Sequence, residues 1–130
     1  MDNALNTIGA ITLFVDDLAR SKSWYVHVFD RPVAFEDAES AVIKFDNTII
    51  NLLVRAAAPE LIAPAVVAHR ESGSAFQFTL WVDNADAACI TLAERGVVLI
   101  NGPMNRAWGQ RTACFADPDG HIWEISQTLS

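Results

Sequence analysis

Apolar and polar positions alternate with period two in several stretches of the chain and repeat at helical spacing in two others. Residues 8–15 (IGAITLFV) read as a strand, with Ile11, Leu13 and Val15 on one face and Ala10, Thr12 and Phe14 on the other. Asp16 and Asp17 are helix-start residues, because a carboxylate can accept the free amides of a first turn. Residues 18–29 then predict a helix whose apolar stripe is Leu18, Trp24, Tyr25, Val28 and Phe29. Short strands are expected at about 33–36, 40–46 and 48–54, the last two joined by a tight turn at Asp46-Asn47. Residues 55–74 pass from an Ala/Pro-rich section to a Ser/Gly end and read as a linker with room for a short helical turn. A second cycle follows: a strand at 75–82, a helix opened by Asp83-Asn84 over about 85–95 and stopped at Gly96, then strands near 97–101, 110–116 and 121–127. The segment from Gly102 to Gly109 is expected to be a loop or lid.

The densest chemistry lies between Trp108 and Gln127. Asp117-Pro118-Asp119-Gly120 is turn sequence, since Pro presets φ, Asp bonds nearby backbone and Gly accepts positive φ. A turn of those four residues sets Ala116 against His121, Phe115 against Ile122 and Ala113 against Glu124. Arg111, Ala113, Phe115, Ile122, Glu124 and Ser126 then share one face, leaving Thr112, Cys114, Ala116, Trp123 and Ile125 on a mostly apolar other face.

The two cycles resemble each other. Thr12-Leu13-Phe14-Val15-Asp16 returns as Thr79-Leu80-Trp81-Val82-Asp83, a shift of 67, and Ile49-Ile50-Asn51-Leu52 aligns with Ile122-Trp123-Glu124-Ile125, a shift of 73. Each half is strand, helix, three strands, which indicates duplication. The fold class expected is therefore α+β, two tandem βαβββ modules (about 8–54 and about 75–127) in one domain, with curved mixed sheet around a cavity and helices outside. Under these shifts Ala10 matches Gln77 and Asn51 matches Glu124. All four are flanked by apolar neighbours that suit the helix-facing core, so they are expected to face the cavity. Gln77, Asn51, Glu124, Thr12 and Thr79 would give it polarity, and Phe14, Trp81 and Phe115 its aromatic walls.

Composition narrows the partners. A net charge of −7 and a pI near 4.7 argue against nucleic acid and anionic membrane. The acidity either keeps the protein soluble or favours a cationic ligand. No apolar run approaches a membrane span, and the start MDNALNTI lacks a secretory pattern, so a cytoplasmic protein is expected. Cys89 and Cys114 lack metal spacing and read as buried thiols, while His27, His69 and His121 read as surface or packing histidines.

The motifs V15-D16-D17-L18-A19-R20-S21 leading into W24-Y25, V82-D83-N84, and F115-A-D-P-D-G-H-I-W-E124 resemble the vicinal oxygen chelate superfamily, which holds glyoxalase I, extradiol dioxygenases and the fosfomycin- and bleomycin-resistance proteins. The resemblance runs from about Ile8 to Gln127 and implies paired βαβββ modules and, in many members, a homodimer. Metal-dependent members place ligands on the first and last strands of each module, which here are Ala10, Asn51, Gln77 and Glu124. Only Glu124 is an anionic oxygen donor; Ala10 has none, and the amides are neutral and weak toward transition metals.

Three functions follow from the resemblance. The leading one is a small organic ligand bound without metal or other cofactor, as in bleomycin-resistance-like members. Trp108 beside Arg111 and Trp81 would stack on it, and Glu124 would match a cationic charge. Trp81 reads equally as ordinary packing. The second is a metal-free enzyme in which Glu124 is a general base and Gln77, Asn51 or Arg111 stabilises an enolate-like oxygen. In that arrangement a structural Glu124–Arg111 ion pair is the competing reading. The third is lyase, isomerase or dioxygenase chemistry on a divalent metal, with Glu124 as ligand and a further ligand from a second chain.

Overall fold

The structure, a computed structural model, describes residues 5–130. The expectation about the N-terminal start rests partly on residues 1–4, which lie outside the described residues. The chain divides into two compact units at Val67/Ala68.

In the first unit, β1 (Ala10–Val15) leads into α1 (Leu18–Phe29), followed by β2 (Val33–Glu36), β3 (Ser40–Lys44) and β4 (Ile49–Val54). Asp17 is the N-cap of α1, its carboxylate accepting from the Arg20 amide at 3.1 Å. The turn at Asp46-Asn47 closes where the Phe45 amide meets the Thr48 carbonyl at 2.9 Å. The sheet order is β1-β4-β3-β2, with β1 parallel to β4 and the remaining pairs antiparallel. Helix α1 packs on β3 and β4. Tyr25 and Val28 meet Leu13, Val15, Ala41, Ile43, Ile50 and Leu52 in a buried core. Burial of each larger side chain contributes about 1.5–3 kcal/mol.

The stretch expected to be linker is more ordered than its composition implied. A 3-10 turn at Arg55–Ala57 and a short helix α2 (Pro59–Ile62) follow β4. Ala57 and Ala58 are buried against Leu53, with Phe14, Val54 and Val67 packed around them. Small alanines let this segment lie close to the sheet.

In the second unit a 3-10 turn at Arg70–Ser72 precedes β5 (Gln77–Trp81), α3 (Ala85–Glu94), β6 (Asn101–Asn105), β7 (Gln110–Ala116) and β8 (Ile122–Thr128). Asn84 caps α3, accepting from the Ala87 amide at 3.0 Å, and Gly96 follows the helix at φ 85°. The order β5-β8-β7-β6 repeats the first sheet, again with one parallel pair, β5 with β8. Helix α3 packs on β6, β7 and β8. Cys89 and Leu92 are buried together with Ala113, Phe115, Trp123 and Ile125. The architecture is thus α+β with two βαβββ modules, as the repeat predicted. Among the described residues no helix is long and apolar enough to cross a membrane.

Two local expectations are corrected. Gly102 to Asn105 is not loop but β6, whose register shifts between Asn101 and Met104. That irregularity accommodates Pro103, which has no amide to give a ladder. The final hairpin also pairs one residue away from the expected register: Ala116 faces Ile122, Phe115 faces Trp123 and Cys114 faces Glu124. Asp117 causes the difference. Its carboxylate accepts from the amides of Asp119 (2.9 Å) and His121 (2.8 Å) and meets His121 Nδ1 at 2.8 Å. Its own amide bonds the His121 carbonyl at 3.0 Å, so His121 belongs to the turn.

Candidate functional site

Each sheet covers a helix with one face; the opposite face, called open below, ranges from exposed Thr79 and Trp81 to buried Leu53, Thr112 and Ser126. On the open face of the first sheet Thr12 pairs in register with Asn51, Phe14 with Leu53, and Asn51 with Val42. Asn51 Nδ2 donates to Thr12 Oγ1 at 3.4 Å. Phe14 is on this face as expected, but it packs against the cluster of Leu53, Ala57 and Ala58.

On the second sheet the equivalent row is Thr79, Glu124 and Cys114, carried by β5, β8 and β7. Thr79 Oγ1 donates to Glu124 Oε1 at 3.0 Å. Gln77 and Trp81 flank Thr79 on the same face, both exposed, with Trp81 at 72%. Further along, Ser126 Oγ donates to Gln110 Oε1 at 2.5 Å. Arg106 Nε donates to Thr112 Oγ1 at 2.8 Å, and its Nη2 reaches Asn101 Oδ1 at 3.3 Å.

The register of the last hairpin redistributes two expected site residues. Phe115 lies on the helix-facing side at 0% exposure and walls the core, not an open face. Arg111 moves to the same side, where Nη2 sits 2.9 Å from Asp86 Oδ1 on α3 and Nη1 donates to Asn105 Oδ1 at 3.0 Å. The Glu124–Arg111 ion pair considered from the sequence does not form, since the two side chains leave opposite faces of the sheet. Trp108 projects from the tight β6–β7 turn, 68% exposed, and its cationic neighbour is Arg106 at 5.9 Å from the ring, not Arg111. Cys114 and Thr112 were missed as open-face residues. A five-residue count for the turn would have found both.

Two thiols therefore sit in different surroundings. Burial pushes the Cys89 thiol above its ordinary range; Asp86 adds to the rise and Arg111 opposes it. Cys114 stands directly across from Glu124 in a half-buried position.

A divalent metal would need donors at the four family positions. Glu124 is the one carboxylate among the four family ligand positions, and Ala10 offers no donor atom. Among the described residues no three His, Cys, Asp or Glu side chains gather closely enough to hold a metal ion. These donors do not fit the family's metal centre, which draws on about three anionic or imidazole ligands.

Comparison with known proteins agrees with this architecture. The family model of the Glyoxalase/Bleomycin resistance protein/Dioxygenase superfamily matches residues 7–125. The uncharacterized protein YraH of Bacillus subtilis (strain 168) is 32% identical over 123 residues, covering 92% of this chain and 96% of YraH. A glyoxalase/bleomycin resistance protein/dioxygenase from Nocardioides superposes with a TM-score of 0.87 at 22% identity, over 99% of this chain and 87% of that one. TnmS3, an antibiotic binding protein from Streptomyces sp. CB03234, superposes with a TM-score of 0.73 at 25% identity, over 98% and 99% of the two chains. The chain belongs to the glyoxalase/bleomycin resistance protein/dioxygenase superfamily.

Proposed function

We propose that this protein binds a small organic ligand on the open face of its second sheet, using aromatic stacking and a carboxylate in place of a complete metal site. The observation that carries the reading is the row of Thr79 and Glu124 beside an indole, Trp81, that is 72% exposed on the same face. An exposed tryptophan contributes little to a core and offers a broad π face to a planar ligand. The adjacent carboxylate favours a cation, and the net charge of −7 adds to that preference. Trp108, at the β6–β7 turn, supplies a second exposed indole. The antibiotic binding of TnmS3 supports a ligand-binding role for a chain of this fold. By family resemblance we further propose a cytoplasmic homodimer that binds neither nucleic acid nor membrane and needs no cofactor.

The test is a fluorescence and NMR titration with a panel of planar aromatic cations and their neutral isosteres. Saturable quenching with shifts at Thr79, Trp81 and Glu124, weakened in Glu124→Gln, is expected. No saturable binding by any panel member overturns the reading.

One geometric feature favours a second reading, catalysis by Glu124 as general base. Thr79 fixes Oε1 and so orients the carboxylate, as proton abstraction from a carbon acid requires. Solvent-deuterium incorporation into 1,3-dicarbonyl or α-hydroxycarbonyl compounds, lost in Glu124→Gln, would establish it. Binding without exchange leaves the binding module.

A further inference from the structure

The two units differ at one place where their duplication says they should agree. In the first, Asp16 follows β1 and Arg55 follows β4. Arg55 Nε lies 2.7 Å from Asp16 Oδ1, and its Nη2 is 3.5 Å from the Phe14 carbonyl oxygen. A guanidinium of the chain itself thus closes the end of the parallel strand pair.

The registers of the two sheets map this arrangement onto the second unit. Thr12 with Asn51 corresponds to Thr79 with Glu124, and Phe14 with Leu53 to Trp81 with Ser126. Continuing the same two shifts, Asp16 becomes Asp83 and Arg55 becomes Thr128. The carboxylate is kept, the phenyl ring becomes an indole, and the guanidinium is replaced by a short hydroxyl side chain. At that position the second unit has a cleft of about 280 Å³ lined by Trp81, Val82, Asp83, Ser126, Gln127 and Thr128.

The polar groups of this cleft are unequally committed. Ser126 Oγ donates to Gln110, and Gln127 Oε1 accepts from the Ala85 amide at 2.8 Å. Asp83 makes no ion pair among the described residues. A carboxylate beside an exposed indole face is the chemistry that selects a planar cation.

We infer that this cleft is a guanidinium site: an external guanidinium group occupies the place of Arg55, held by the Asp83 carboxylate and covered by the Trp81 ring. The inference deepens the reading above, with which it shares Trp81, by naming the charged group of the ligand and a second carboxylate that binds it.

Benzylguanidinium is the probe, titrated into the full chain and followed by NMR. Shifts of the Trp81 indole N–H and of the Val82 and Asp83 amides are expected, with benzylurea, the neutral isostere, producing none. Asp83→Asn should weaken the probe roughly two- to fivefold, the range of an exposed ion pair. Thr128→Arg should abolish probe binding by rebuilding the pair that the first unit already contains, and Thr128 is an exposed strand-end position where the longer side chain is tolerated.

Two sources can present the group. Shifts of the same amides that depend on protein concentration without probe, and vanish in Thr128→Arg, identify an arginine of a second copy. Their absence beside probe binding identifies a free small molecule. Either supports the site. Absence of both probe and concentration shifts, or equal probe binding in wild type, Asp83→Asn and Thr128→Arg, overturns it. Ligand binding that depends on Glu124 but is indifferent to Thr128→Arg sinks this inference alone and leaves the wider reading standing.

Discussion

Thr79 and Glu124 sit directly across the parallel β5–β8 pair, and the threonine hydroxyl donates to the carboxylate at 3.0 Å. The same register positions in the first unit hold Thr12 and Asn51, where the donor is the amide and the distance is 3.4 Å. One threonine thus serves as donor to an anion in one half and acceptor from an amide in the other. A duplicated scaffold has kept its hydroxyl and diverged in its last strand.

Removing that hydroxyl should loosen Glu124 without unfolding the sheet. Thr79→Val keeps the β-branched shape that a strand favours and forfeits one charge-assisted hydrogen bond, about 1 kcal/mol at a partly exposed site. A small drop in melting temperature is expected, with a larger spread of Glu124 conformations by side-chain NMR. Thr12→Val should change neither quantity in the second unit, which makes it the internal control.

The Asp117 turn should be far more sensitive. Its side chain is fully buried and bonds two amides and the His121 ring. Asp117→Ala leaves those donors without an acceptor, at a cost of roughly 2–4 kcal/mol. Chemical denaturation should show this loss as a shifted midpoint at unchanged slope. Asp117→Asn, which keeps an oxygen for the amides, should recover part of it.

This turn also explains what was legible in the sequence and what was not. Helix α1 begins and ends where the periodicity places it, and the caps Asp17 and Asn84 are related by the same shift as the strands before them. Periodicity and capping are local signals, so they survive folding unchanged. The face of β8 was equally legible, with Trp123 and Ile125 buried and Glu124 on the open side. The face of β7 was not. Whether His121 belongs to the turn depends on where the Asp117 side chain finds its donors, and a one-residue change exchanges the faces of a strand. Arg111 and Phe115 crossed to the helix-facing side for that reason, and Cys114 crossed away from it.

Gly102 marks a second site with no slack. Its φ is 89°, and a Cβ built there would lie 2.7 Å from the Ala113 Cα on the neighbouring strand. Both the backbone angle and the space exclude a side chain, and backbone cannot move aside cheaply. Gly102→Ala should cost roughly 2–4 kcal/mol and raise amide exchange along β6 and β7. Gly109, also at positive φ, has nothing within 4 Å of such a Cβ. Gly109→Ala should therefore pay only the conformational strain, about 1 kcal/mol. The two variants separate crowding from backbone angle in one comparison.

The acid limb of stability should carry a contribution from Asp37. The Glu39 amide and the Ser40 hydroxyl hold its carboxyl below the ordinary value of 3.8. A depressed carboxylate binds its proton less readily folded than unfolded. Its contribution is therefore complete above the unfolded value and is lost as pH falls from there through the lowered folded value. Asp37→Asn should lower the stability modestly at neutral pH, because a neutral amide oxygen accepts from the Glu39 and Ser40 amides more weakly than a carboxylate, and should flatten the profile below pH 3.8. A carboxyl-detected NMR titration of the wild type gives the direct check. A midpoint for Asp37 at or above 3.8 would show that the loop between β2 and β3 does not hold its carboxylate as these hydrogen bonds require.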